Sequence, residues 1–255
     1  MIKDRIAQQF SRAASSYDEA ADVQYDIAQA TLALVEEPVK SMIDIGCGTG
    51  RISQQLLEHA DHVLGADLSA GMIKFAKTTH KSSRLSWLNA DVEKLPLEDE
   101  LFDGAFSSMA LQWCKPIDKA FSEIYRVLRP NTQASLSLMC HGSFTELDGA
   151  WAAIGESTRT NNFLHHKHIV DVAKAVGFTV HDTSCRFVTS HDNIFDLLGS
   201  IKAIGAHTSM SSQNSPRPLS KRTLLALENG YRQQNNVEGK LPLTYQVSML
   251  RLIKE

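Results

Sequence analysis

The chain has no excess of positive charge: 26 lysines and arginines stand against 29 aspartates and glutamates, a formal net charge of -3. A nucleic-acid binder normally shows a basic excess, so that class gains no support and any basic surface must be local. Cysteine is scarce. Cys47, Cys114, Cys140 and Cys185 lie far apart without paired spacing, which suggests neither zinc nor a disulfide framework and points to a reducing cytoplasm. No apolar run approaches the ~20 residues that span a bilayer, and Met1-Ile2-Lys3-Asp4-Arg5 lacks the apolar core of a signal peptide. A soluble, unexported protein without a membrane partner is expected. The histidines cluster only at His165, His166 and His168, where no cysteine or acidic triad completes a metal site. No serine lies in a nucleophile elbow, so spacing nominates no Ser-His-Asp arrangement. No internal repeat is found. At 255 residues and 43% hydrophobic composition, a single α/β domain with insertions is the default.

What is present centres on Ser41-Met42-Ile43-Asp44-Ile45-Gly46-Cys47-Gly48-Thr49-Gly50. Met42, Ile43 and Ile45 suit a buried central strand, and the alternate glycines Gly46, Gly48 and Gly50 remove the Cβ atoms that would hold a ligand off the backbone. Asp67 ends a second apolar run, about the ~20 residues downstream at which nucleotide folds place the carboxylate that grips ribose hydroxyls. A dinucleotide fingerprint wants a glycine where this chain has Arg51, which argues against NAD.

The remaining pattern alternates strands and helices. Helical spacing over Ile2 to Glu37 predicts an N-terminal arm (1–37) that precedes the first strand, with Phe10 to Tyr17 as a polar loop or lid carrying Arg12 and Tyr17. Ile52, Leu56 and Leu57 predict a helix after Gly50, whose first turn offers free N–H groups to a ligand carboxylate. Ser69 reads as an N-cap before the stripe Met72, Ile73 and Ala76. Strands are expected at Leu85 to Val92, ending at Asp91; at Phe102 to Ser108; at Ala134 to Met139; at Phe178 to His181; and at Tyr245 to Ile253. Insertions are expected at 143–165, after strand five, and at 193–220, before strand seven. The order implies a doubly wound, seven-stranded, mainly parallel sheet in one domain, 1–255.

Alternate glycines with Asp44 two residues before the first resemble the first motif of the class I, Rossmann-like methyltransferases that bind S-adenosylmethionine. That resemblance implies Asp44 near the amino group of the methionine moiety, Asp67 on both ribose hydroxyls and Asp91 accepting from the adenine amino group. Gly46, Cys47, Gly48, Gly50, Leu68, Met72, Val92, Ser107 and Ser108 join them as expected cofactor neighbours, with Met72 covering the adenine face. Several further stretches resemble the malonyl-[acyl-carrier protein] O-methyltransferases of biotin synthesis, over nearly the whole chain. They are Phe10-Ser11-Arg12-Ala13-Ala14 with Tyr17 and Gln24; Ala110-Leu111-Gln112-Trp113-Cys114; Arg126-Val127-Leu128-Arg129-Pro130; pieces around Glu146, Trp151 and Phe163; Ile204-Gly205-Ala206; and Leu241-Pro242-Leu243-Thr244-Tyr245. Ser108 stands where the family often has asparagine, Asn131 replaces a common turn glycine, and 209–218 matches poorly.

The resemblance implies transfer of the sulfonium methyl to the free carboxylate of malonyl-acyl-carrier protein, with malonyl-CoA as the alternative carrier of the same acyl group and S-adenosylhomocysteine as product. Tyr17 and Gln112 are the expected hydrogen-bonding residues for substrate, with Arg12 and Trp113 beside them. An acyl-carrier protein is acidic, so Lys202, Arg217, Lys221 and Arg222 are the candidate docking residues on a chain expected to act as a monomer. A methyltransferase for a free small acid or a quinone precursor would share every cofactor residue. A domain that binds the cofactor without turnover is the second alternative.

Overall fold

A computed structural model describes residues 2–158, 160–203, 219–235 and 237–255. The elements run α1 (Ile2–Ala13), α2 (Tyr17–Ala20), α3 (Asp22–Leu32), β1 (Val39–Ile45), α4 (Arg51–Gln55), β2 (Ala60–Asp67), α5 (Ala70–Thr79), β3 (Leu85–Asn89), β4 (Phe102–Ser108), α6 (Ile117–Val127), β5 (Leu128–Met139), α7 (Thr145–Ala153), α8 (His166–Val176), β6 (Thr179–His191), α9 (Ile194–Ala203), α10 (Lys221–Asn235) and β7 (Leu241–Lys254). The strands form one seven-stranded sheet in the order β3-β2-β1-β4-β5-β7-β6. The pairs among β1 to β5 are parallel, whereas β7 lies antiparallel between β5 and β6. The strand order reverses between β1 and β4, and in open α/β sheets the ligand crevice opens at the carboxyl ends of the strands at such a point.

Alternation along the strands sorts their side chains to the two faces. Ile43 and Ile45 join Ala105, Phe121 and Ile124 under α6 and α8, while Met42 and Phe106 pack with Leu32, Val35 and Leu56 on the opposite face. A third apolar cluster lies beyond β5, where Val23 and Ile27 of α3 meet Trp151, Leu227, Tyr231, Tyr245 and Val247. There the Leu241 to Tyr245 stretch serves as a clamp. Glu146 of α7 accepts from the Thr244 N–H at 3.3 Å and from the Thr244 hydroxyl, and the Tyr231 hydroxyl of α10 donates to the Pro242 carbonyl.

The structure departs from the sequence expectations in several places. Phe10 to Ala13 is helical and continues α1, because Ile6 and Phe10, one helical turn apart, share an apolar face and α1 packs against α5; the connection to α2 is only 14–16. The helix after Gly50 is five residues long and passes into a 3₁₀ turn at Leu56–Glu58, since β2 already begins at Ala60. That short helix supplies N–H groups but little dipole. β3 stops at Asn89 because Asp91 caps the following 3₁₀ turn. β6 and β7 pair continuously from Thr179 with Ile253 to His191 with Leu241, so both are longer than expected. β6 is an edge strand, exposed from His181 to Ser184 and alternating between half-buried and exposed from Cys185 onward, and it presents no apolar run. Asn131, which replaces the turn glycine, has φ +59, a left-handed conformation that asparagine tolerates. Ile204-Gly205-Ala206, 209–218 and Arg217 lie outside the described residues.

Candidate active site

The glycine loop opens a two-lobed cleft at the carboxyl ends of β1, β2 and β4. One lobe has about 870 Å³ of unfilled space, partly open to solvent, with Asp67, Leu68, Met72, Asp91 and Val92 along one side and Ile6 and Phe10 of α1 along another. The second lobe, about 510 Å³, runs past Cys47 and Thr49 to Gln24, Tyr25 and Arg51. Tyr17, Gly46, Gly48, Ser108 and Met109 line both. Gly46 has φ +72, and a Cβ there would fall 2.1 Å from the Ala110 Cβ. Gly48 has φ +54, and a Cβ on it would meet no protein atom within 4 Å. The loop is therefore held tight by Ala110 on one side and left clear for a ligand on the other.

The acids at the strand ends are fixed by short local bonds. Asp67 accepts from the Gly48 N–H at 3.0 Å and the Ser69 N–H at 2.7 Å, one per carboxylate oxygen, which leaves acceptor capacity on both oxygens. Burial raises its pKa, and these two N–H groups pull the other way. Asp44 is 2% exposed and accepts from the Ser53 hydroxyl at 2.5 Å. Burial lifts its carboxyl to about 7; the Ser53 bond opposes that shift and nearby Asp67 adds to it. Asp91 accepts from the Glu93 N–H at 3.0 Å and pairs with Lys3 of α1 at 2.6 Å.

The N-terminal arm roofs the cleft through three polar ties. Lys3 reaches Asp91 and Glu93, the latter at 2.8 Å. Ser11 lies 2.7 Å from the Ser69 hydroxyl and accepts from the Gly71 N–H at 3.2 Å. Asp18 of α2 accepts from the Thr49 hydroxyl at 2.8 Å. Phe10 meets Trp113 edge-on at 5.9 Å and lies 6.3 Å from the Tyr17 ring, closing the apolar side. Helical spacing marks α1 as amphipathic, but nothing local in the sequence signals these ties.

The other expected site residues separate into groups. Ser108, Trp113, Leu68, Met72 and Val92 line the cleft, and Cys47 is buried at its second lobe, where burial holds its thiol well above the usual range. Ser107 is fully buried and donates to the Ile45 carbonyl at 2.7 Å, tying β4 to β1 instead of facing the cleft. Gly50 lines neither lobe; a Cβ there would strike Trp87. Gln112 donates to the Met109 carbonyl at 2.7 Å and lines an adjacent apolar cavity with Leu138, Met139 and Phe163. Arg12 is exposed and lines neither lobe, and Lys202, Lys221 and Arg222 are exposed on α9 and at the start of α10. Arg51, which broke the dinucleotide pattern, stacks 3.8 Å over the Tyr25 ring. Met109 takes φ +55 at the junction where β4 ends, a strained conformation of the kind that gathers at ligand sites.

One constellation was not visible from spacing. His166 lies 2.8 Å from the Ser248 hydroxyl and 2.9 Å from Asp182, joining α8 to β7 and β6. Ser248 is fully buried, so no substrate reaches its oxygen and the trio is structural. Among the described residues no group of histidine, cysteine and acidic side chains is arranged to hold a metal ion, and no helix is long and apolar enough to cross a membrane.

Comparison with known proteins bears on the family and the fold. Residues 43–136 match the methyltransferase domain family. The YcgJ protein of Bacillus subtilis superposes with a TM-score of 0.65 at 15% identity, over 91% of this chain and 98% of that one. A Haemonchus contortus phosphoethanolamine N-methyltransferase 2, solved in complex with S-adenosyl-L-methionine, superposes with a TM-score of 0.57 at 20% identity, over 96% of this chain and 57% of that one. Both show the class I methyltransferase fold. The malonyl-[acyl-carrier protein] O-methyltransferase of Pectobacterium atrosepticum is 36% identical over 248 residues, 96% of this chain and 94% of the relative. At that identity over nearly its whole length, the chain belongs to the malonyl-[acyl-carrier protein] O-methyltransferase family.

Proposed function

We propose that the protein transfers a methyl group from S-adenosylmethionine to the free carboxylate of malonyl-acyl-carrier protein, giving the methyl ester that primes pimeloyl synthesis for biotin. The observation that carries this reading is the two-lobed cleft, whose glycine loop, strand-end acids and aromatic roof fit a nucleoside with a charged tail. The cofactor supplies an electrophilic sulfonium methyl. Asp67 offers free acceptor capacity to ribose hydroxyls and Asp91 to an exocyclic amine, while Asp44, enclosed beneath the glycine loop and outside the lining of both lobes, is the acid the family reading sets toward an ammonium group. Leu68, Met72 and Val92 provide the apolar wall that an adenine ring needs.

The chemistry asks little more of the chain than position. A carboxyl of this kind, with an ordinary pKa near ~4, is ionised at neutral pH, so no general base is required. The carboxylate oxygen forms the new O–C bond as the S–C bond breaks, its electron pair stays on sulfur, and no proton moves. Holding the oxygen in line contributes up to about 7 to 11 kcal/mol at the limit of measured effective molarities. Tyr17 lies where the lobes meet and is the hydrogen-bonding residue best placed to hold it. Gln112 and Trp113 flank the turn beside the adjacent cavity, through which the carrier's thioester arm enters. Arg12 is a more distant aid. Lys202, Lys221 and Arg222 supply a basic docking face for an acidic carrier, with Arg217 between them in sequence. One chain builds both lobes, which supports action as a monomer, and the cysteines are free thiols, as a reducing cytoplasm requires.

Methyl transfer from labelled S-adenosylmethionine to malonyl carrier protein, beside acetyl carrier protein and free malonate, tests the reading. Label on the malonyl protein alone is the expected result. Label on free malonate but not on the carrier refutes carrier recognition.

A further inference from the structure

Gln24 is the least explained polar residue of the cleft. It sits on α3, is 8% exposed, and lines the second lobe with Tyr17, Ser108 and Met109. Both atoms of its side-chain amide are buried and neither forms a hydrogen bond of good geometry, the nearby Tyr245 hydroxyl being at most a weak partner. A buried amide in that condition is costly, and a leucine would fill the same helical position without the penalty. Such a group is retained where something brought from outside pairs with it.

Its surroundings define what that is. Tyr245, from β7, is 2% exposed; burial pushes its phenol up to about 12, while the adjacent Gln24 works in the opposite direction. Burial and the nearby charges of Asp67 and Asp18 hold Tyr17 above the usual phenol range, and Tyr245 acts on it in the same sense. Both phenols keep their protons at neutral pH and can donate. Among the described residues, Arg51 is the single lysine or arginine that lines this lobe, and its guanidinium is stacked on Tyr25. Asp18 is turned to Thr49. Apart from that stacked guanidinium, the lobe offers an anion only uncharged donors.

We propose that Gln24 is a substrate-binding residue that donates from Nε2 to the acceptor carboxylate, with the Tyr17 hydroxyl beside it in the lobe and the Tyr245 hydroxyl supporting it from outside the lining. Uncharged donors suit this reaction for a physical reason. The carboxylate negative charge and the sulfonium positive charge both vanish as the methyl moves, so a lysine or arginine on the carboxylate would stabilise the ground state more than the transition state and slow the step. Amide and phenol donors orient the oxygen, and they still bond an ester oxygen afterwards. The same set favours a free carboxylate over an uncharged acyl end such as acetyl, which brings no anion to pair.

The proposal rests on the methyl-acceptor reading above, and its test separates the two. Full-length wild type, Gln24→Glu and Gln24→Leu, each saturated with S-adenosylhomocysteine, are titrated with malonyl and with acetyl carrier protein, and kcat and KM for methyl transfer are measured alongside. Loss of one charge-assisted hydrogen bond corresponds to roughly 10- to 100-fold in affinity. The expected result is a loss of that size for malonyl carrier protein in Gln24→Leu and a larger one in Gln24→Glu. Binding of S-adenosylhomocysteine and of acetyl carrier protein should stay within twofold. Equal loss for both carriers, or malonyl affinity within twofold of wild type in both variants, overturns the role of Gln24. If the wild type methylates a different free carboxylic acid, the carrier reading fails while the same variants, titrated with that acid and its amide, still decide Gln24. Should Gln24→Glu not fold, Gln24→Leu carries the comparison alone.

Discussion

Replacing Gly71 by alanine sets two effects of opposite sign against each other. Gly71 lies in the first turn of α5, where alanine ordinarily improves a helix by about 1 kcal/mol. Here the new Cβ would fall 2.6 Å from both the Cα and the Cβ of Ser11. A clash with a backbone atom is not relieved by turning a side chain, so α1 must withdraw, and Ser11 loses its contacts with Gly71 and Ser69. Overpacking of this kind costs about 1 to 3 kcal/mol. Because α1 supplies Ile6 and Phe10 to the cleft, that cost falls on ligand binding, at about tenfold for each 1.4 kcal/mol, or about 5- to 150-fold. Calorimetric titration with S-adenosylhomocysteine, thermal denaturation and hydrogen exchange over 2–13 should show weaker binding and faster α1 exchange, with Tm unchanged or lower. Binding within twofold of wild type and unchanged α1 exchange would refute the reasoning that this arm closes the cleft.

The folded-state pKa of Asp44, about 7, lies above its ordinary 3.8, so the stability linked to its proton is full below 3.8 and lost as pH rises through about 7. Urea denaturation of Asp44→Asn at pH 5 and pH 8 should accordingly show the variant gaining on wild type at the higher pH, and an equal difference at both would contradict this. Glu146→Gln takes the charge from a buried acceptor of the Thr244 N–H and hydroxyl; a loss of about 1 to 3 kcal/mol by denaturant unfolding, with an unchanged m-value, is expected. The enclosed Ser248 should resist a fluorophosphonate serine probe, and labelling there would mean that the His166 trio is reactive.

The central sheet was legible because each strand that carries the cleft is a short apolar run ending in a turn signal, and Asp44, Asp67 and Asp91 each stand at or just past such an end. Ser69 was read as an N-cap for the same local reason, and its hydroxyl accepts from the Met72 N–H at 3.3 Å. What the sequence hid was long-range or two-sided. β6 carries polar residues on its exposed face and so resembles a loop. Ser107 and Ser108 are neighbours in sequence, yet strand alternation turns one into the sheet and leaves the other at the cleft. There Ser108 accepts from Ser137 at 3.0 Å, which in turn lies 2.7 Å from the Thr31 hydroxyl. Lys3 meeting Asp91 across 88 positions, and Glu146 meeting Thr244 across 98, leave no periodic trace.

The insertion of β7 between β5 and β6 sets a timetable for synthesis. Among the described residues β6 has β7 as its sole sheet neighbour, so a ribosome working at roughly 5 to 20 residues per second delivers it seconds before its partner exists. Through that interval a ribbon of 13 residues waits with both edges unpaired. Asp182, Arg186 and His191 along it keep the waiting strand soluble and discourage pairing with a neighbouring nascent chain. When β7 arrives it pairs with both β5 and β6 and sets Tyr245 beside Gln24, so the wall of the second lobe gains its backing only after the sheet has been zipped shut.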